Sequence, residues 1–205
     1  MTKVILIRHG ESVWNKEMKY QGHADISLTD KGLWQAERLA ARLAREQLTA
    51  VYASDLSRAF VTAEMVAAGH NLTVQSVPAL REISFGEWEG LTYHSINEKW
   101  PDIMSNLYIC PDEVDIPGGE TFRSLKDRAG QAIAELVRAH KDETIAVVSH
   151  GGTIRTILCD VLHIHLNHVW NIRQDNTAMN IIEYYDHRTM VSLVNDTGHL
   201  RDGWA

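Results

Sequence analysis

The chain has 205 residues, 44% of them apolar and 23% charged, with a formal net charge of −7. That length buries a full core without a disulfide or metal staple, and the composition excludes a disordered chain. The acidity, with no run of Lys or Arg, excludes a general nucleic-acid binder, so any anion site must be local and built from a few positioned groups.

The chain opens with an apolar run at 4–7, of buried-strand length, that ends in Arg8-His9-Gly10-Glu11. Arg8 breaks the run before a secretory signal could form, and no stretch nears the roughly 20 apolar residues of a membrane span. A soluble cytoplasmic protein with no membrane partner is therefore expected. Ligands of open α/β sheets bind beyond the carboxyl ends of the strands, which is where this tetrapeptide emerges. A polar turn is the plain alternative for the triplet alone. Next comes a helix predicted over 30–45, with Leu33, Ala36, Leu39, Ala40 and Leu43 on one face and Thr29 as its N-cap. A strand at 50–53 leads into a helix over 56–68 that carries Arg58 near its start. A strand at 74–77 is followed by Leu80-Arg81-Glu82, which puts a carboxylate in a loop.

Residues 91–119 break the alternation with Pro101, Pro111 and Pro117, the aromatics Tyr93, Trp100 and Tyr108, and no strand pattern. An ordered, partly helical lid is expected there. A helix over 122–140 then precedes a strand at 145–148, which runs into Ser149-His150-Gly151-Gly152 and a helix over 151–162; a last strand is predicted at 181–184. Continuously apolar strands alternating with helices predict a three-layer α/β fold, with a mixed, mostly parallel sheet covered on both faces. The expected organisation is one domain over 1–205 with the lid inserted at about 91–119. Cys110 and Cys159 lack CxxC spacing and read as free thiols.

Strand-to-loop transitions thus deliver Arg8, His9, Arg58, Glu82 and His150, a set that packing would not choose and that predicts one convergent site. The stretch from Val4 through Arg8-His9-Gly10-Glu11-Ser12 to Asn15 resembles the opening motif of the histidine phosphatase superfamily, which includes the cofactor-dependent phosphoglycerate mutases. Tyr20-Gln21-Gly22, Ser54-Asp55-Leu56-Ser57-Arg58-Ala59, Leu80-Arg81-Glu82 and Ser149-His150-Gly151-Gly152 resemble its later motifs in order. Asp175-Asn176-Thr177-Ala178 and the stretch 195–200 resemble the C-terminal strands of the branch holding α-ribazole phosphatases and broad-specificity phosphatases.

The resemblance implies a phosphomonoesterase that needs no metal or other cofactor and takes a small-molecule phosphate ester. His9 is then the nucleophile, neutral because guanidinium charge disfavours its protonation. Arg8 and Arg58 grip the phosphate bidentately. His150, protonated or donating, stabilises the equatorial oxygens, and Glu82 is the general acid and base. Asn15, Gln21, Gly22 and Gly151 complete the cradle.

The residues by themselves leave alternatives open. Glu87 or Glu89 could be the acid, with Glu82 paired to Arg81, and Gln21 could cap a turn. A mutase would carry extra basic residues in its insertion, whereas 91–117 holds Lys99 against Glu98, Asp102, Asp112, Glu113 and Asp115. That favours hydrolysis. A phospho-ligand sensor would lack the nucleophile or the acid. Trp88, Tyr93, Trp100, Leu107 and Tyr108 predict an aromatic wall suited to a bulky, uncharged alcohol such as that of α-ribazole phosphate, or else they pack the lid onto the body. His163, His165 and His168 read as corner packing rather than a metal site. The assembly is open, a homodimer among the options.

Overall fold

The run at 4–7 is the centre of strand β1 (Thr2–Arg8), and its alternate residues feed two cores. In the computed structural model, which describes residues 1–201 and 203–204, Val4 and Leu6 pack with Tyr52, Val147, Leu125, Ile133 and Leu158 on one face. Ile5 and Ile7 pack with Val51, Val148, Leu39 and Ala63 on the other. A strand covered on both faces needs apolar residues at every position, which is why the run shows no alternation. Truncating one of these fully buried side chains, as in Ile5→Ala, costs about 2–5 kcal/mol.

In chain order the elements are β1, α1 (Val13–Lys16), α2 (Asp30–Leu43), β2 (Ala50–Ala53), α3 (Ser57–Ala68), β3 (Val74–Ser76), α4 (Tyr93–Lys99), α5 (Pro101–Ile109), α6 (Phe122–Ala139), β4 (Thr144–Ser149), α7 (Gly151–Val161), β5 (Met179–Tyr184) and β6 (Thr189–Asp196). The sheet order is β3-β2-β4-β1-β5-β6. The first four strands in that order run parallel, and β5 and β6 join antiparallel. Helices α2 and α3 supply one covering layer, α6 and α7 the other. The α/β class, the mostly parallel mixed sheet and the helical insertion are as the sequence predicts.

Local signals set the helix ends. Thr29 accepts the Gly32 N–H at 3.0 Å and so caps α2, while Pro101 occupies the first turn of α5, where no N–H partner is needed. Gly10 and Gly32 meet backbone to backbone: a Cβ on Gly10 would stand 2.5 Å from the Gly32 carbonyl oxygen, so the loop leaving β1 packs directly on the start of α2.

Strand β6 lies outside the predicted elements. Val191 and Leu193 alternate with the exposed Met190 and Val194 at the sheet edge, a short pattern easily lost among polar residues. The stretches 175–178 and 197–200 are turns beside β5 and β6 rather than strands. Within 91–119, α4 and α5 press Ile96, Met104 and Leu107 onto the main core. Among the described residues, no helix is long and apolar enough to cross a membrane.

One strand register fixes where two histidines emerge. β1 and β4 are adjacent and parallel, with Arg8 opposite Ser149, so His9 and His150 leave the sheet side by side. The His9 N–H donates to the Ser149 carbonyl at 3.0 Å.

Candidate active site

Beyond these strand ends lies a cavity of about 250 Å³, lined by Arg8, His9, Asn15, Gln21, Gly22, Arg58, Glu82 and Gly151 among others. Eight of the nine residues singled out from the sequence therefore share one wall. The ninth, His150, is fully buried beside it, its ring 5.1 Å from that of His9 and tilted by 59°.

His9 is oriented by its own neighbour. Nδ1 lies 2.6 Å from the Gly10 carbonyl oxygen, which can only accept, so Nδ1 carries the proton and Nε2 keeps its lone pair. Burial, then the charges of Arg58 and Arg8, holds the imidazole well below the usual histidine range. The ring is a neutral, aimed base.

His150 is pushed the same way by burial, Arg58, His9 and Arg8. Of the two expectations for His150, protonated or donating, removal from water beside two guanidinium groups disfavours the first, and a neutral ring still carries one N–H to donate. Neither ring nitrogen has a protein partner.

Arg58 enters from the first turn of α3. It donates from Nη1 to the Ala24 carbonyl and from Nη2 to the Gly22 carbonyl, both at 2.8 Å, which fixes the plane of its fork. Arg8 donates from Nη1 to the Gln174 carbonyl at 2.6 Å. Burial lowers both guanidinium groups to about 10, so both remain cationic at neutral pH. The Nε atoms of Arg8 and Arg58 are buried without a protein partner. Leaving such donors unsatisfied costs about 1–3 kcal/mol each, so a site built this way fits a bound anion.

Glu82 reaches the cavity from the loop after β3 and caps α7. Its Oε2 accepts the Gly152 N–H at 3.0 Å, and its Oε1 accepts the Thr153 N–H at 3.0 Å and the Thr153 hydroxyl at 3.2 Å. The rival carboxylates are engaged elsewhere. Glu89 accepts the N–H groups of His23, Ala24 and Phe85, and Glu87 faces Lys99 at the surface. Arg81 pairs with Asp55, at 2.7 Å, not with Glu82.

The cradle residues are tied to one another. The Ser12 hydroxyl donates to Gln21 Oε1 at 2.7 Å and to Asn15 Oδ1 at 3.0 Å. Asn15 sits at the third position of α1, closing a capping box with Ser12. The Asn176 amide donates to Asn15 Oδ1 at 3.2 Å and to the His9 carbonyl at 3.1 Å, a bridge that the sequence did not reveal.

The expected aromatic wall is corrected. Trp88 and Leu107 are fully buried, Trp100 packs against Trp88 with ring centroids 6.3 Å apart, and of the five residues named only Tyr108 lines the cavity. A segment that must cover a core spends its large apolar side chains there first. The rings that do face the cavity are Tyr20, Phe85, Tyr108 and Trp170, and two more cations stand among them, Lys19 and Arg155. Arg155 was legible in principle, four residues after Gly151 and so on the same helical face.

Of His163, His165 and His168, the last two take separate partners. His165 faces Asp112 at 3.6 Å and accepts the Asn167 N–H, while His168 contacts Asn171. Among the described residues, no group of three His, Cys, Asp or Glu side chains could hold a metal ion.

Residues 4–197 match the family model of the histidine phosphatase superfamily, branch 1. The chain is 34% identical to phosphoserine phosphatase 1 of Hydrogenobacter thermophilus over 98% of its own length and 95% of that protein. Among solved structures it is similar to YhfR of Bacillus stearothermophilus, at 34% identity and a TM-score of 0.94, covering 98% of this chain and 100% of that one. It is also similar to the alpha-ribazole phosphatase of Shigella flexneri, at 27% identity and a TM-score of 0.86, covering 95% of this chain and 96% of that one.

Proposed function

The chain belongs to the histidine phosphatase superfamily and is a phosphatase, and from that premise we propose that it hydrolyses a small phosphate monoester through a phosphohistidine on His9, without a metal. The observation that carries the reading is the Nδ1–H of His9 held by the Gly10 carbonyl, which leaves Nε2 free in a neutral ring between two guanidinium groups.

Arg8 and Arg58 grip the phosphoryl oxygens, and His150 donates one N–H to them. His9 Nε2 attacks phosphorus in line. The N–P bond forms as the ester P–O bond breaks, and the leaving oxygen takes the proton of Glu82. Water then attacks the phosphohistidine, giving its proton to Glu82, and phosphate departs with His9 restored. The arginines and His150 supply the positive charge that a metal supplies in other phosphoryl-transfer sites.

Phosphoglycerate mutase activity has less support, because the insertion brings acidic rather than basic residues. An aromatic alcohol such as that of α-ribazole phosphate is the second reading, favoured by the rings of Tyr20, Phe85, Tyr108 and Trp170 around the cavity. Two free thiols, Cys110 and Cys159, suit a reducing cytoplasm.

The test is rapid quenching with substrate labelled in its phosphate. Alkali should preserve one label on His9, acid should release it, and His9→Ala should carry none. Label on another residue, or fast turnover with no labelled protein, defeats the mechanism.

A further inference from the structure

The turn that leads into β5 holds both residues at the end of β1 without entering the cavity. The Gln174 carbonyl accepts Arg8 Nη1 at 2.6 Å, and the Ala178 carbonyl accepts the Arg8 N–H at 3.1 Å. The Thr177 N–H donates to the His9 carbonyl at 3.2 Å, beside the Asn176 amide at 3.1 Å. None of residues 174–178 lines the cavity.

The turn is closed by the Ala178 N–H on the Asp175 carbonyl at 3.1 Å, and Thr177 stands at its third position with φ +54°. Gly and Asn take that left-handed conformation readily. A β-branched residue keeps it only where its surroundings over-determine it. Here they do. Thr177 is fully buried, and its hydroxyl donates to the Asn176 carbonyl at 2.8 Å. His199 Nε2 lies 3.0 Å from the same hydroxyl oxygen. The single hydroxyl proton is already engaged, so the imidazole donates from Nε2. His199 comes from the far end of the chain, in the short turn Gly198–Leu200, where Arg38 Nε of α2 donates to its carbonyl at 3.3 Å.

The two halves of the turn are fastened separately. Gln174 pairs amide to amide with Asn180 of β5, at 2.8 and 2.9 Å, and Asp175 pairs with Asn195 of β6, at 2.7 and 3.0 Å. Those bonds secure the anchor of the Arg8 side chain. The anchor of His9 depends on Thr177 and, behind it, on His199. His9 is sensitive to it because its ring is aimed through the main chain: the Gly10 carbonyl that holds Nδ1 belongs to the next peptide but one from the anchored N–H of His9. A tilt of the peptide that follows His9 moves that carbonyl away from the ring.

Resting on the phosphohistidine reading, we infer that Thr177 and His199 are positioning residues for the nucleophile. The imidazole holds the threonine in its left-handed turn, and the threonine N–H holds the His9 main chain so that Nε2 meets phosphorus in line. A displacement of about 1 Å at a reacting atom can cost 10²-fold in rate, so a bond outside the cavity has this much leverage.

The test sets phosphorylation against phosphate binding. Thr177→Val keeps the shape and removes the hydroxyl; His199→Phe keeps a ring and removes the donor. Each should slow the burst of p-nitrophenolate from p-nitrophenyl phosphate by about 10–100-fold. The inhibition constant of orthophosphate, which reports Arg8 and Arg58, should stay within about threefold. Thr177→Ser, and His199→Gln with its amide N–H in place of Nε2–H, should recover most of the rate. Should Thr177→Val fail to fold, the His199 pair carries the same comparison. Nitrogen NMR of the imidazoles reads the geometry apart from the chemistry: His9 should be the Nδ1–H tautomer in wild type and lose part of that population in Thr177→Val and His199→Phe. Burst rate and orthophosphate affinity falling together, or conservative variants as slow as the disruptive ones, would overturn the assignment and leave the pair a structural role. A wild-type burst that both disruptive variants reproduce would overturn it too, with the phosphohistidine reading intact. A tautomer shift in a protein that shows no burst and carries no phosphate on His9 would uphold the positioning and defeat the phosphohistidine.

Discussion

Arg128 of α6 donates from Nη2 to the main-chain carbonyl of Glu82 at 2.8 Å. From Nη1 it also donates to the carbonyls of Ala79 and Arg81, both at 2.8 Å, while its Nε is paired with Glu120 at 2.6 Å. The loop that presents the acid is therefore held by a side chain from the helical layer on one face of the sheet. Arg128 touches no part of the cavity and is a positioning residue.

Arg128→Met should accordingly release the loop. The Ala79 carbonyl loses its side-chain donor, those of Arg81 and Glu82 keep only Thr153 and His23, and Glu120 loses its ion-pair partner, which should cost about 2–4 kcal/mol, the lower part of the buried-pair range because both side chains keep some exposure. Urea unfolding reads this directly. At a temperature where the variant is folded, kcat should fall tenfold or more, and most for esters that need protonation of the leaving oxygen. Full activity in a destabilised variant would show that the loop is positioned without Arg128.

Glu82→Gln keeps the size of the side chain and removes the transferable proton. Alkyl phosphates, whose leaving oxygen is strongly basic, should lose about 10²-fold or more in the phosphorylation step. Aryl esters with activated phenolates should lose much less there. Pre-steady-state measurement on both classes checks it, and equal losses would give Glu82 another role.

Gly152→Ala tests the cap on α7. A Cβ there would stand 2.6 Å from Glu82 Oε1, the mobile end of a side chain, so the carboxylate should be displaced rather than the fold broken. Turnover should drop tenfold or more, while the melting temperature moves little, since Ala is the better helix former by about 1 kcal/mol. A large loss of stability with normal turnover per folded molecule would contradict this.

Stability should fall in mild acid because of buried neutral histidines. Burial, opposed by Asp196 and aided by Arg42 and Arg38, lowers His199 to about 4. Below pH 6.5 the unfolded chain takes up a proton there that the folded protein refuses, so the native state weakens as pH falls from about 6.5 to 4. For one such group the loss reaches about 3 kcal/mol. His9 and His150 act in the same direction. Denaturant unfolding at pH 7 and pH 5 should show the drop, and His199→Gln should show a smaller one. By the same logic kcat/KM should carry no acid limb at pH 6.5 from His9, which is already neutral there.

Prolonged EDTA treatment should leave turnover unchanged. The positive charge at the cavity comes from arginines, and among the described residues no group of three His, Cys, Asp or Glu side chains could hold a metal ion. Inactivation reversed by an added metal would overturn the metal-independent mechanism.

Much of this protein is local and therefore legible in the chain. The apolar runs at 4–7, 50–53 and 145–148 can only be strands covered on both faces, and the charged residues directly after them can only lie at their carboxyl ends. Arg8, His9 and His150 follow from that, while Arg58, inside α3, and Glu82, in the loop after β3, need the neighbouring motifs as well. The tertiary structure decided what depends on distant partners. The opposition of Arg8 to Ser149 makes His9 and His150 neighbours, burial beside two guanidinium groups makes both rings neutral, and Arg128 reaches the Glu82 loop across 46 residues. The same holds for the lid. Trp88 and Tyr108 are both large aromatics near the site, yet one fills the core and the other faces the cavity. Composition cannot separate them, because burial is set by what packs against a side chain and not by its own chemistry.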